Sequence, residues 1–206
     1  MHTLIVVAHA DPASLSHAVA AQVAAGIASA GPGHTCEVAD LAAEGFDPRF
    51  GRADIDVHNR VAPPPADVLA EQARLDRADA LVLVYPVFWW SMPALLKGWI
   101  DRVFANGWAY DAGADGKVAK LLRRLNVHLI GIGGATAATY QRRGYSEAMR
   151  VQIEHGIFDY CGARVLRSEL LLGWNAQGPA AQLETARAIG RDVPAAALRN
   201  ADAAAA

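Results

Sequence analysis

The chain has 206 residues, 53% hydrophobic and 19% charged, with a formal net charge of −2. That length suits one domain burying about 70% of the surface its unfolded form exposes, and the composition excludes a disordered chain. The slight negative charge argues against a nucleic-acid binder, which needs a clustered positive face.

The opening residues, "MHTLIVVAHADP", lack the positive n-region of a secretory signal. "TLIVVA" (3–8) is a β-branched run without alternation, which predicts a strand buried on both faces. After the turn "HADPAS", Leu15, Val19, Val23 and Ile27 recur every four residues and predict a helix over 15–29, capped by Ser14 or Ser16. "GPG" ends that unit and "HTCEVADL" (34–41) reads as a second strand. Residues 42–64, with "FDPRF" and "APPP", read as irregular and long for a loop, a sign of cover over a site.

A helix is predicted over 66–78, a buried strand over 79–85, and a helix over 93–105 with a stripe of Leu96, Trp99, Ile100 and Val103. "NVHLIGI" (126–132) is the fourth strand, followed by a helix at 146–160 and a fifth strand at 163–172. A closing helix occupies 179–193, and 196–206 is expected to be a disordered tail after a domain spanning 1–195. The longest apolar run, "ALVLVYPVFWW", is too short for a bilayer and contains Pro86, so no membrane insertion is expected. Cys36 and Cys161 form no CxxC or zinc spacing and read as free thiols of a cytoplasmic protein. The seven histidines offer no HxH or HxxH pair, so no metal site is expected.

Repeated strand–helix alternation predicts a doubly wound α/β fold: a five-stranded parallel sheet with helices on both faces. Ligands of such sheets bind outside the carboxyl ends of the strands, which directs attention to loops 9–16, 86–92 and 131–140. In the first, His9, Ser14, Leu15 and Ser16 sit at a helix start, where free N–H groups suit a phosphate; capping alone also accounts for Ser14. The GxxxxGK[ST] spacing of a nucleotide P-loop is missing. In the second, Phe88, Trp89 and Trp90 are consecutive and cannot all point inward, so ring faces are available to a planar ligand. In the third, Gly131, Gly133 and Gly134 allow close backbone approach or positive φ, with Tyr140 six residues on. Phosphate donors, flat aromatics and a glycine turn on one sheet edge suit a flavin.

These residues resemble the flavodoxin-like NAD(P)H:quinone oxidoreductases of DT-diaphorase type. The resemblance spans residues 3–170 and rests on "VVAHADPASLSHAV", "FDP" (46–48), "YPVFWWSMPALLKGWIDRVFANGWAY", "GIGGATAATYQRRGY" and "GIFDYCGARVL". It implies hydride transfer from NAD(P)H through the flavin to a quinone or similar flat acceptor. His9, Ser14, Leu15 and Ser16 would hold the flavin phosphate side. Pro86, Val87, Phe88, Trp89 and Trp90 would lie along the ring and ribityl chain, and Gly131, Ile132, Gly133 and Gly134 would meet the ring's polar edge. Tyr140 would be the catalytic tyrosine beside the flavin. Tyr110 and Tyr145 would line a substrate pocket that a homodimer partner completes. Where many members carry a relay histidine, this chain has Ser146. The long segment 42–64 favours FAD over the alternative, FMN. The same resemblance extends to ancillary flavoproteins of potassium efflux systems, which offer a regulatory alternative with little turnover.

Overall fold

Strand β1 (His2–Val7) is followed by helix α1 (Leu15–Ser29), β2 (Thr35–Asp40), α2 (Arg52–His58), α3 (Ala66–Arg77) and β3 (Ala80–Pro86). Then come α4 (Ala94–Val103), β4 (Tyr110–Ala112), β5 (Val118–Lys120) and β6 (Asn126–Gly133). Helices α5 (Ala137–Arg143) and α6 (Tyr145–Met149), a π-helix (Arg150–Asp159), β7 (Arg164–Leu172) and α7 (Ala180–Ala205) complete the chain. This computed structural model describes residues 1–113, 116–173 and 179–205.

Five strands form one parallel sheet in the order β2-β1-β3-β6-β7. The chain reverses direction of travel across the sheet between β1 and β3, which makes the crevice above their carboxyl ends the switch point. The doubly wound fold expected from the alternation is therefore the fold observed. All seven residues of β3 are buried, as its uninterrupted apolar run requires of a strand covered on both faces.

Alternate residues of β1 and β3 feed two separate cores. Ile5, Val7, Val82 and Val84 meet Val19, Val23 and Ile27 of α1 and Ile189 and Val193 of α7. Leu4, Val6, Leu81 and Leu83 meet Leu75 of α3 and Leu96, Trp99 and Val103 of α4. Helices α1 and α7 approach so closely that a Cβ on Gly190 would strike the Val23 carbonyl, and one on Gly26 would lie 2.8 Å from the Gly190 Cα. On the opposite layer Trp99, 0% exposed, donates its indole N–H to Glu71 Oε2 at 2.8 Å. Arg102 of α4 is also buried, bonding Asp54 of α2 (3.0 Å), Asp67 of α3 (2.6 Å) and the Asp47 carbonyl (2.8 Å), with its guanidinium over the Phe46 ring.

Several elements differ from the sequence expectation. Residues 42–64 contain α2, started by the Asp54 carboxylate accepting the Gly51 N–H at 2.7 Å. Tyr140 lies on a helix, α5, rather than in a loop: Thr136 caps it, and Gly144, in the left-handed conformation at φ 71°, ends it. The helix expected at 146–160 is present but widens into a π-helix from Arg150, and Arg150 accordingly meets His155, five residues on, at 2.6 Å. The closing helix extends past Pro194 to Ala205, across the segment expected to be a disordered tail. Alanine's helix propensity, the highest of any residue, favours that continuation.

Candidate functional site

The three loops meet at the carboxyl edge of β1, β3 and β6. The Ala8 N–H donates to the Val84 carbonyl at 3.3 Å, the Val87 N–H to the Ile132 carbonyl at 2.8 Å, and the Gly173 N–H to the Gly133 carbonyl at 3.4 Å. Loop positions are thus set by continuation of the sheet ladder.

At the first loop, Ser14 is the N-cap of α1 and accepts the His17 N–H at 3.4 Å. Leu15 and Ser16 open the helix, Ser16 being buried. Their N–H groups belong to the first turn, which has no intrahelical acceptors, so an anion placed here meets donors and the positive helix end. The Asp11 N–H donates to His9 Nδ1 at 3.0 Å. That nitrogen must then be unprotonated, which assigns the ring proton to Nε2 and leaves it as a donor. Two residues not singled out in the sequence complete the cluster. His17 lies with Nδ1 2.8 Å from Ser14 Oγ and Nε2 2.8 Å from Asp40 Oδ2. Asp40 ends β2, the neighbour of β1, and its other oxygen accepts the N–H groups of Ala42 and Ala43. The i,i+3 spacing from Ser14 was the available sign for His17; Asp40 required the strand order.

The second loop is a two-residue turn. Phe88 and Ser91 exchange both backbone hydrogen bonds, each 3.0 Å, around Trp89 and Trp90 at φ 51° and 56°. Two consecutive positive φ values match a type I′ turn, normally built from Asn and Gly. For bulky residues this conformation costs about 1–2 kcal/mol each. Trp89 is 89% exposed and Phe88 53%. Trp90 is half-buried and stacks on Tyr145 with centroids 3.9 Å apart, and Tyr145 meets Tyr140 edge-on at 6.1 Å. Ser91 Oγ, 2.8 Å from Gln152 Oε1, ties the turn to the π-helix. Val87 and buried Pro86 form the stem.

In the third loop none of Gly131, Gly133 and Gly134 has positive φ. Close approach explains two of them. A Cβ on Gly131 would lie 3.0 Å from Leu170 and 3.1 Å from Val87, and one on Gly133 would lie 2.6 Å from Tyr140 Oη. Those neighbours are protein atoms. Among the described residues, a Cβ on Gly134 meets nothing within 4 Å, which leaves space there for a ligand. Ile132 is half-buried between them. Tyr140 is 2% exposed, and burial pushes its phenol up, so it keeps its proton at neutral pH. A cavity of about 520 Å³ adjoins it, lined in part by Ser146, Arg150 and Glu154.

Tyr110 lies apart from these loops, on β4. Its ring meets Tyr160 edge-on at 5.3 Å, and its hydroxyl is 3.4 Å from His58 Nδ1. Tyr110 shares a small pocket with Phe50 and His58, while a larger hollow of about 560 Å³ opens between residues 57–64 and 106–108.

The site fits a flavin. An anion cradle, an exposed indole held at backbone cost and, among the described residues, open space beside Gly134 suit phosphate, ring face and ring edge respectively. Among the described residues, no group of three or more His, Cys, Asp or Glu side chains is arranged to hold a metal, and no helix is long and apolar enough to cross a membrane.

A family model of the flavodoxin-like fold matches residues 1–191. The chain is 30% identical over 189 residues to a ribosyldihydronicotinamide dehydrogenase (quinone) of Mus musculus, covering 82% of this chain and 80% of that protein. It is 31% identical over 189 residues to NAD(P)H dehydrogenase (quinone) 1 of Cavia porcellus, covering 82% and 68%. Among solved structures it is similar to an NAD(P)H:quinone oxidoreductase from Methanothermobacter marburgensis, with a TM-score of 0.80, 30% identity, and coverage of 94% and 96%. The chain therefore belongs to the flavodoxin-like family that contains the NAD(P)H:quinone oxidoreductases.

Proposed function

We propose that the protein is a flavin-dependent NAD(P)H:quinone oxidoreductase. The observation that carries the reading is the strained turn at Trp89 and Trp90, which exposes an indole at the switch-point edge although a glycine turn would cost less. When bound, the flavin supplies the two-electron chemistry, accepting hydride from NAD(P)H and returning it to a quinone or similar flat acceptor.

The protein's own part is orientation and electrostatics. His9, Ser14, Leu15 and Ser16 anchor the phosphate side. Pro86, Val87, Phe88, Trp89 and Trp90 fix the plane of the ring and exclude water from one flank. The backbone at the end of β6, from Gly131 to Gly134, and the protonated Tyr140 hydroxyl face the site where negative charge develops, while the Trp90–Tyr145 stack steadies the tyrosine. One pocket serving both substrates in turn predicts ping-pong kinetics.

FAD is the proposed form, supported by the length of segment 42–64 and its anchoring to Arg102. A homodimer is proposed, supported by the partly exposed patch of Tyr110, Tyr160 and Phe50, which stands apart from the three loops and leaves room for a partner to complete the pocket. The free thiols Cys36 and Cys161 suit a reducing compartment, and the cytoplasm is the proposed location.

The test is anaerobic titration with NADPH, then NADH, after supplying FAD, followed by visible absorbance. Bleaching of the flavin band and its return on adding a quinone is the expected result. A bound flavin that neither nucleotide bleaches would replace the enzyme by a regulatory flavoprotein. Failure to take up FAD or FMN would overturn the site.

A further inference from the structure

Ser14 Oγ has three neighbours to satisfy and one proton to give. It accepts the His17 backbone N–H at 3.4 Å, lies 2.8 Å from His17 Nδ1, and stands at the N-cap where the flavin phosphate is proposed to bind. The far nitrogen, His17 Nε2, is 2.8 Å from Asp40 Oδ2. An ionised carboxylate only accepts, so Nε2 must donate. Burial, the largest influence on Asp40, would raise its carboxyl, but hydrogen bonds from His17, Ala43 and Ala42 outweigh it and hold the group below the usual carboxylate range.

The protonation of Nδ1 then decides what Ser14 can do. In a neutral ring with its proton on Nε2, Nδ1 is an acceptor, and the Ser14 hydroxyl must donate to it. A phosphate arriving at the N-cap would meet an oxygen with no proton to offer. In the imidazolium, Nδ1–H donates to Ser14 Oγ, and the hydroxyl proton turns outward.

We propose that His17 is a proton-linked positioning residue for the flavin phosphate: Ser14 donates to that phosphate only when His17 carries protons on both ring nitrogens. Binding therefore takes one proton from solvent onto His17 Nδ1, and release of the flavin returns it. The inference rests on the flavin reading of the site and adds a pH dependence to cofactor retention.

Other titratable groups nearby have separate assignments. The His9 ring lies edge-on to His17 at 6.4 Å and receives the Asp11 N–H on Nδ1; the Asp11 carboxylate accepts the Ala13 N–H. Glu44, beyond Asp40 in the same turn, pairs with Arg74. Helix α7 meets α1 closely at Val23 and Gly26, so Arg187 and Arg191, whose backbone atoms flank Gly26, lie toward the far end of α1 from His17.

The experiment is FAD titration by flavin fluorescence at constant ionic strength between about pH 6 and 8.5. FAD is the probe because its pyrophosphate stays fully ionised there, whereas FMN's monoester titrates near pH 6 itself. The wild-type Kd should rise with pH, approaching about tenfold per unit, the limit for one linked proton. His17→Gln should flatten the slope and His9→Asn should retain it. Riboflavin, which lacks the phosphate, should bind without the slope. The enthalpy of FAD binding to the wild-type protein, compared between two buffers of different ionisation enthalpy near pH 7.5, should report proton uptake without any variant. An unchanged slope in His17→Gln, an equal slope for riboflavin, or no proton uptake would each overturn the proposal. Failure of the wild-type protein to take any flavin at any pH would overturn the flavin reading and the proton link together, whereas pH-independent FAD binding overturns the link alone.

Discussion

Trp99 and Trp89 lie ten residues apart and are used in opposite ways. Trp99 sits on α4 in an unstrained helix, completely buried, its one polar atom bonded to Glu71. Trp89 sits in a left-handed turn, almost wholly exposed, with its backbone strained. The first repays its bulk with core packing, whereas the second takes stability from the fold. A residue that costs stability and packs against little of its own chain points outward to something else. Trp99 agrees with its surroundings at every level, and the turn at the carboxyl edge does not.

The sharpest way to break that contrast is Trp99→Ala. It leaves a large cavity and an unpaired Glu71 oxygen, and should cost about 4 kcal/mol in urea unfolding. A loss under about 1 kcal/mol would mean that the interior tolerates voids and that the comparison is empty.

His128, also interior, sharpens it along the pH axis. Among the described residues neither ring nitrogen has a hydrogen-bond partner, and burial first, then Arg167, pushes the group down to about 4. Above the ordinary value of 6.5 the native and unfolded forms are both neutral at this position. Below it the unfolded chain takes a proton that native His128 refuses, so stability falls as pH drops towards about 4 and this contribution then levels off. The full effect is on the order of 3 kcal/mol, and His128→Leu should remove it from the pH profile of the urea midpoint.

The smallest stability effect, with the opposite sign, belongs to Trp89→Gly. Relief of the left-handed strain should leave the protein unchanged or about 1 kcal/mol more stable. FAD affinity should nonetheless fall about tenfold or more, as loss of a stacking face implies. If the variant instead unfolds as readily as Trp99→Ala, Trp89 belongs to the core.

The interior was the legible part of the sequence. β3 and α4 follow from an apolar run and a three-four stripe, signals that burial itself writes into residue type. Ser14, the aromatic turn and the glycine loop were legible as places, because strand–helix alternation fixes which loops share an edge. Their conformations were not. Trp89 and Trp90 are poor candidates for positive φ by every local preference, and only the paired Phe88–Ser91 hydrogen bonds reveal the turn. Gly131 and Gly133 read as either close approach or positive φ, and close approach to Leu170 and Tyr140 is what the structure has. Helix α5 had its signals, Thr136 before it and Gly144 after it, obscured by the glycine loop next to it. Asp40 reaches His17 across 23 residues. No local pattern encodes that pairing, since it depends on β2 lying beside β1.

Arg102 has a consequence for how the molecule opens. It binds segment 46–58 through contacts that reach 48 and 55 residues back along the chain, while Asn106 and Tyr110 hold the same segment at His58. The sheet and its two apolar layers do not depend on that grip. Residues 46–64 are therefore expected to open as a unit while the remainder stays folded, with an opening free energy below the global one. Removing Arg102 strands Asp54 in the interior without touching a single sheet residue. In hydrogen exchange and limited proteolysis such a unit would respond first, behaving as a clasp with one buried cation at its centre.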